Sequence, residues 1–176
     1  GPKALERRWA GLSYRKLRRL AAAALALVLP LSGCGPAVET DAAAELPEGQ
    51  KLIALTFDDG PRRSTTTRLL DGLAERGVKA TFFLIGAQIE HNEDVVRRMD
   101  EEGHQIGIHT FDHVKLTGLN RADFDSQVEK SRDALKAVLG HNDFLLRPPY
   151  GMLDESDKSR AGCPIILWSI DPEDWR

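Results

Sequence analysis

The chain has 176 residues, a net charge of −3, and 29% charged against 41% hydrophobic side chains, which is room for one domain plus a tail. Residues 1–33 hold seven Lys/Arg against Glu6, so from residue 34 onward 17 basic groups face 26 acidic ones, a balance of −9. An acidic body argues against nucleic acid as a ligand, because phosphate binding needs a basic surface, and two cysteines do not make a disulfide framework.

In chain order, the basic head is followed by an Ala/Leu-rich run from Leu20 to Leu31 and then by Leu31-Ser32-Gly33-Cys34. A run that short does not comfortably span a bilayer needing about 20 residues. It fits the apolar region of a signal peptide, with an ordinary helix ending at Pro30 as the alternative. The Leu-Ser-Gly-Cys ending resembles the lipobox of bacterial lipoproteins. That resemblance implies a signal peptide over residues 1–33, acylation of Cys34, and attachment to the outer face of the cell membrane. Residues 34–50 lack periodic apolar positions and contain Pro36 and Pro47, so they read as a flexible linker.

From Lys51 the pattern alternates. Leu52-Ile53-Ala54-Leu55 reads as a buried strand within 51–57, with Asp58-Asp59 at its carboxyl end and Gly60-Pro61 enforcing a turn. A helix is expected around 65–76, with Leu69, Leu70 and Leu73 on one face and Gly77 as its stop. A strand at 80–85 and a helix over 93–102 follow, the helix capped by Asn92, burying Val95, Val96 and Met99, and ending at Gly103. Strand 105–109 delivers His109. Asn120 then caps a helix marked by Phe124, Val128, Leu135 and Leu139 and stopped by Gly140. Phe144-Leu145-Leu146 leads into Arg147, a short helix is expected at 154–161, and 164–170 reads as a strand. Strands alternating with helices imply a parallel sheet flanked by helices, or a barrel. About five strands over residues 51–176 are few for a complete barrel.

Two groups of residues carry chemistry. Adjacent strand residues point to opposite sides, so Asp58 and Asp59 can divide labour, one holding a metal while the other serves as a base; a structural turn accounts for the pair equally well. His109-Thr110-Phe111-Asp112-His113 sets two imidazoles four residues apart, a spacing that brings both rings together on one helical turn. Two histidines and one carboxylate leave positions open for water and substrate, as a catalytic metal requires. The same donors also suit Fe(II) in a non-haem oxygenase, a scheme with no use for the Asp-Asp pair or for Arg147-Pro148-Pro149-Tyr150.

Asp58-Asp59, His109-x-x-x-His113, Arg147-Pro148-Pro149-Tyr150-Gly151 and Asp171-Pro172-Glu173-Asp174-Trp175 occur in that order. Together they resemble the NodB-homology polysaccharide deacetylases (carbohydrate esterase family four) over residues 51–176. The resemblance implies a distorted, incomplete (β/α) barrel that removes N-acetyl groups from amino sugars of an extracytoplasmic glycan. The lipoprotein-like head favours bacterial peptidoglycan as that glycan. It also implies a divalent ion, Zn²⁺ or alternatively Co²⁺, bound by Asp59, His109 and His113, and a complete protein that is monomeric. Asp58 is implied as the base, oriented by Arg147, and the Tyr150 backbone amide as part of the oxyanion hole. Asp174 would tune a catalytic acid histidine, and Pro149, Tyr150 and Trp175 would border the substrate. The family's Leu-x-His element, which carries that acid, should follow Trp175, but the sequence stops at Arg176. The resemblance thus implies truncation before the last strands, an exposed sheet edge and poor independent stability. The alternative is a glycan- or metal-binding module with little or no turnover. His91, His104 and His141 are expected to be solvated, Asp112 to lie at the surface, Cys163 to be an inert buried thiol, and Phe82, Phe83 and Trp168 to be core.

Overall fold

A computed structural model describes residues 51–176; the signal-peptide, linker and Cys34 readings fall outside the described residues. The elements are β1 (Thr56–Gly60), α1 (Arg63–Glu75), β2 (Thr81–Leu84), α2 (Glu93–Glu101), β3 (Gln105–Ile108), α3 (Arg121–Leu139) and β4 (Leu145–Leu146). The four strands pair in parallel in the order β1-β2-β3-β4. Parallel pairing places every strand's carboxyl end at the same rim, and Asp58, Asp59, His109 and Arg147 all lie on that rim.

The helices follow their apolar spacing. Leu70 and Leu73 of α1, Val95, Val96 and Met99 of α2, and Phe124, Val128, Leu135 and Leu139 of α3 are buried in one core with Phe82, Leu84, Ile106, Ile108 and Leu146. The Asn120 side chain accepts from the Asp123 amide at 3.0 Å, capping α3. Gly77, Gly103 and Gly140 all have φ between 62° and 80°, the left-handed backbone that ends a helix at little cost in glycine.

Several local expectations are corrected. Asn92 does not cap α2 through its side chain, which donates instead to the Gln88 carbonyl at 2.9 Å. Leu52 and Ile53 are 62% and 76% exposed rather than buried. Pairing begins only at Leu55, whose carbonyl accepts from the Thr81 amide at 3.0 Å, and among the described residues β1 is an edge strand with β2 as its one neighbour. Residues 154–161 form a 3-10 turn at Glu155–Asp157, not a longer helix. Segment 164–170 contributes a single bridge, Leu146 to Ile165. Trp168, expected in the core, is 42% exposed: it follows the single bridge at Ile165, outside the sheet, and its indole lies over Gly151, where a Cβ would stand 3.0 Å from the ring.

The sheet curls. Flat strands set about 4.8 Å apart would hold β1 roughly 14 Å from β4. Yet Arg147, just past β4, reaches Thr56 and Asp58 on β1 at 2.8 Å each. It also donates to the carbonyls of Ile166 and Leu167 at 3.2 Å each. A parallel sheet curled until one side chain joins its two margins, with helices packed outside, is an incomplete (β/α) barrel. No described helix is long and apolar enough to cross a membrane.

His104 is 6% exposed and overturns its expected solvation. Its Nδ1 accepts from the Ala80 amide at 3.1 Å, and Phe82 meets its ring edge-on at 5.3 Å. Nε2 therefore carries the hydrogen and faces Glu102 Oε2 at 3.5 Å. Burial lowers its pKa, outweighing the opposing pull of Glu102. His141 is half-buried, with Nε2 3.7 Å from Asp100, whereas His91 is exposed as expected. Between its folded pKa and the unfolded value near 6.5, the unfolded chain binds more protons at His104, so stability falls as pH falls through that window. Thermal melts at pH 7.5 and pH 5 should show a lower midpoint in acid, and His104→Asn should reduce that difference; an unaltered difference would remove His104 as a contributor.

Gly107 has no room for a side chain. A Cβ there would stand 2.6 Å from Phe83 Cδ1 and 2.9 Å from the Leu145 carbonyl oxygen. Phe83, fully buried, in turn supports the Arg147 guanidinium 4.1 Å from its ring centroid. Gly107→Ala is expected to cost about 1–3 kcal/mol through overpacking, measured as a lower urea midpoint; an unchanged midpoint would show that Phe83 can shift freely.

Candidate functional site

The site is built from three strand ends. At the end of β1 the register with β2 slips: Phe57 lies opposite Phe82 but Gly60 opposite Leu84, so β1 carries one extra residue. Asp59 takes the left-handed conformation at φ 66°. This bulge overrides the alternation expected of adjacent strand residues. Both carboxylates consequently turn toward His109, whose Nε2 is 3.5 Å from Asp59 Oδ1 and 3.9 Å from Asp58 Oδ2. Gln88, oriented so that its amide nitrogen faces acceptors, donates to the Asp59 and Pro61 carbonyls at 3.1 Å each.

The histidine segment is a loop rather than a helical turn. Thr110 and His113 have φ of 61° and 56°, values that no α-helix accommodates and that cost roughly 1–3 kcal/mol each in a non-glycine residue. The loop still brings the rings to 5.1 Å, centroid to centroid. His113 Nε2 lies 3.2 Å from the same Asp59 Oδ1 that His109 approaches.

His109 is 3% exposed, and its Nδ1–H donates to the Arg147 carbonyl at 2.6 Å. Because a carbonyl only accepts, this bond fixes the tautomer and leaves the Nε2 lone pair directed at the carboxylates. Burial lowers the His109 pKa despite the nearby Asp58 charge, which favours the neutral ring. One ligand atom from each of Asp59, His109 and His113 lies within 4.8 Å of the others. Ligand atoms bound at about 2.0–2.2 Å to a tetrahedral ion stand roughly 3.3–3.5 Å apart. Two nitrogens and a carboxylate oxygen, one nitrogen being a neutral buried lone pair, fit a divalent cation.

Asp58 stands beside this cluster. Its Oδ1 accepts from Arg147 Nη1 at 2.8 Å, and the same nitrogen donates to Thr56 Oγ1 at 2.8 Å. Thr56 and Phe83, which seat Arg147 from β1 and β2, carry no motif signal in the sequence. Buried Pro149 leads to Tyr150 at φ 62°, whose ring is 57% exposed and packs 5.2 Å from His113, with Lys115 Nζ 5.4 Å above it. Asp112 is exposed as expected and accepts from Gln127. Burial raises the pKa of the half-buried Cys163 thiol.

The structure does not bring Asp174 and Trp175 into this cluster. Trp175 is 70% exposed and its indole N–H donates to Asp171 at 3.3 Å; Asp174 is exposed and has no hydrogen bond or ion pair among the described residues.

A curled parallel sheet bearing this rim defines a family, and the family model for polysaccharide deacetylase matches residues 45–161. The chain belongs to that family. It is 42% identical over 134 residues to the peptidoglycan-N-acetylglucosamine deacetylase PgdA of Listeria monocytogenes, covering 75% of this chain and 29% of that protein. It is 38% identical over 127 residues to the peptidoglycan-N-acetylmuramic acid deacetylase PdaC of Bacillus subtilis, covering 72% of this chain and 27% of that one. The solved structure of Bacillus subtilis PdaC superposes with a TM-score of 0.70 at 37% identity, covering 74% of this chain and 64% of that chain. The chitin deacetylase of Colletotrichum lindemuthianum gives 0.66 at 38%, covering 69% and 57%. The chain thus spans under a third of the length of these two curated peptidoglycan deacetylases.

Removing one imidazole leaves two donors where three converge. His113→Ala is expected to weaken Zn²⁺ affinity on the order of 100-fold or more, measured by competition with a chromogenic chelator; affinity equal to the parent's would show that the ion binds elsewhere.

Proposed function

We propose that the protein is a metal-dependent hydrolase that removes N-acetyl groups from amino-sugar residues of an extracytoplasmic polysaccharide, with bacterial peptidoglycan as the substrate. The observation that carries this reading is the convergence of Asp59, His109 and His113 beside an Arg147-held Asp58. Names of relatives that act on peptidoglycan support the choice of glycan. The basic head and Leu31-Ser32-Gly33-Cys34 support lipid anchoring at the outer face of the membrane, where that glycan lies.

Asp59, His109 and His113 would hold the ion, and Zn²⁺ suits two imidazoles and a carboxylate, with Co²⁺ as an alternative. Such an ion lowers the pKa of bound water to about 7 and polarises an amide carbonyl. The protein's own groups do the rest. Arg147 occupies Asp58 Oδ1, which leaves Oδ2 as the oxygen that takes the water's proton. Arg147 also limits rotation of that carboxylate, so the base waits in position. The Tyr150 backbone amide, set by a left-handed residue after Pro148-Pro149, serves as the oxyanion donor; such a donor is worth about 2.7–4 kcal/mol. Pro149 and the exposed Tyr150 ring border the acetamide. Asp174 and Trp175, which lie outside the cluster in this structure, would have to move toward it to take the family roles of orienting an acid histidine and walling the acetyl pocket.

A second reading, a glycan- or metal-binding module with feeble turnover, draws on the exposure of Asp174 and Trp175 away from the cluster. General acid–base help is worth about 10²–10⁴-fold, so a module in which no acid reaches the leaving amine would keep only the water-activating half. Acetate release from peptidoglycan, chitooligosaccharides and acetylated xylan, measured on Zn²⁺-loaded protein, separates the two. Release is expected with peptidoglycan; bound metal with no release from any glycan would leave the second reading. Asp58→Asn should keep Zn²⁺ affinity within a few-fold and lose nearly all turnover, and a fully active Asp58→Asn would reverse the assignment of base and ligand.

A further inference from the structure

The loop from His109 to His113 holds Thr110 and His113 in left-handed conformations, at φ 61° and 56°. A β-branched residue in that region is an outlier that persists only when its surroundings fix it. Part of the restraint comes from the turn after β2, where the Gly86 and Ala87 amides donate to the Thr110 and Phe111 carbonyls at 3.0 and 2.9 Å. The Val114 amide adds a bond to Thr110 Oγ1 at 3.2 Å, and a further anchor is one side chain on α3. Gln127 Oε1 accepts from two consecutive amides, Phe111 at 3.0 Å and Asp112 at 2.9 Å, while its Nε2 donates to Asp112 Oδ2 at 2.7 Å.

We propose that Gln127 is a positioning residue for the metal centre, fixing the loop between the two histidines although it touches neither imidazole. Its platform is rigid: Phe124, Val128 and Ser131, which flank it on α3, are buried, and Ser131 Oγ donates to the Gln127 carbonyl at 3.0 Å. A side chain of this length on a packed helix can hold the loop to within the few tenths of an ångström that a metal site demands. Without it, two backbone donors lose their acceptor and the loop is free to relax out of its left-handed residues. The separation of His109 and His113 then becomes variable, and the protein must reorder the loop whenever it binds an ion.

The proposal rests on the reading that Asp59, His109 and His113 hold a metal, and the test separates the two. On the full chain, stripped of metal, Zn²⁺ affinity is measured by calorimetry at pH 7.5 alongside the melting temperature of the metal-free form. Gln127→Ala is expected to weaken Zn²⁺ binding by roughly 10–100-fold, the range for groups that orient a metal's ligands. Gln127→Glu keeps the acceptor for both amides but opposes Asp112 with a like charge, so it should also weaken binding. Combining Gln127→Glu with Asp112→Asn reverses donor and acceptor and should recover most of that loss. A role confined to folding would lower the metal-free melting temperature and leave Zn²⁺ affinity unchanged, and that outcome overturns the proposal. If Gln127→Ala does not fold, the charge-swap pair decides: equal affinity in Gln127→Glu, the double variant and the parent overturns it. A parent chain that binds no Zn²⁺ would overturn the metal reading and this inference with it.

Discussion

The buried guanidinium of Arg147 is the contact on which the rest of the rim depends. It is 3% exposed, and an ion so placed is tolerable only when its donors are met. They are met by Asp58 and Thr56 on one side and by the Ile166 and Leu167 carbonyls on the other. Phe83 supports its face. The same residue's carbonyl accepts from His109. One residue thus curls the sheet, holds the Asp58 carboxylate and sets the tautomer of His109.

The remaining order at the rim comes from backbone conformations that regular elements do not supply. An extra residue in β1 swings Asp58 and Asp59 toward the same histidine. Left-handed Thr110 and His113 return the second imidazole to the first. Such conformations are held by packing and hydrogen bonds from rigid neighbours, here the turn after β2 and helix α3. The rim is therefore a product of the whole scaffold, which is why its converging side chains come from segments some fifty residues apart in sequence.

Charge explains why these groups suit a cation. Burial favours the neutral form of His109, and its hydrogen is committed to Nδ1. A lone pair then faces two carboxylates within 3.9 Å, an arrangement that a proton would relieve only against the cost of desolvation. A divalent ion would satisfy Asp59, His109 and His113 at once. Membership of the polysaccharide deacetylase family agrees with that electrostatic demand.

Much of this was legible in the sequence because it is local. The apolar spacing of α1, α2 and α3, the glycine stops and the Asn120 cap depend on residues three or four positions apart, and the first three of the four ordered motifs reflect the shared rim of a parallel sheet. Tertiary structure decided whatever depends on distant neighbours. Leu52 and Ile53 look like a core strand but sit at an edge, His104 reads as solvated but is enclosed by Ala80 and Phe82, and Trp168 lies over Gly151 near the surface. The histidine spacing of four suited a helix, yet the chain forms a loop, because anchors at Gly86, Ala87 and Gln127 outweigh local preference. Sequence alone named Asp59, His109 and His113 as candidates; only the packed structure fixed which of their atoms converge, since convergence is set by contacts between segments that no local pattern encodes.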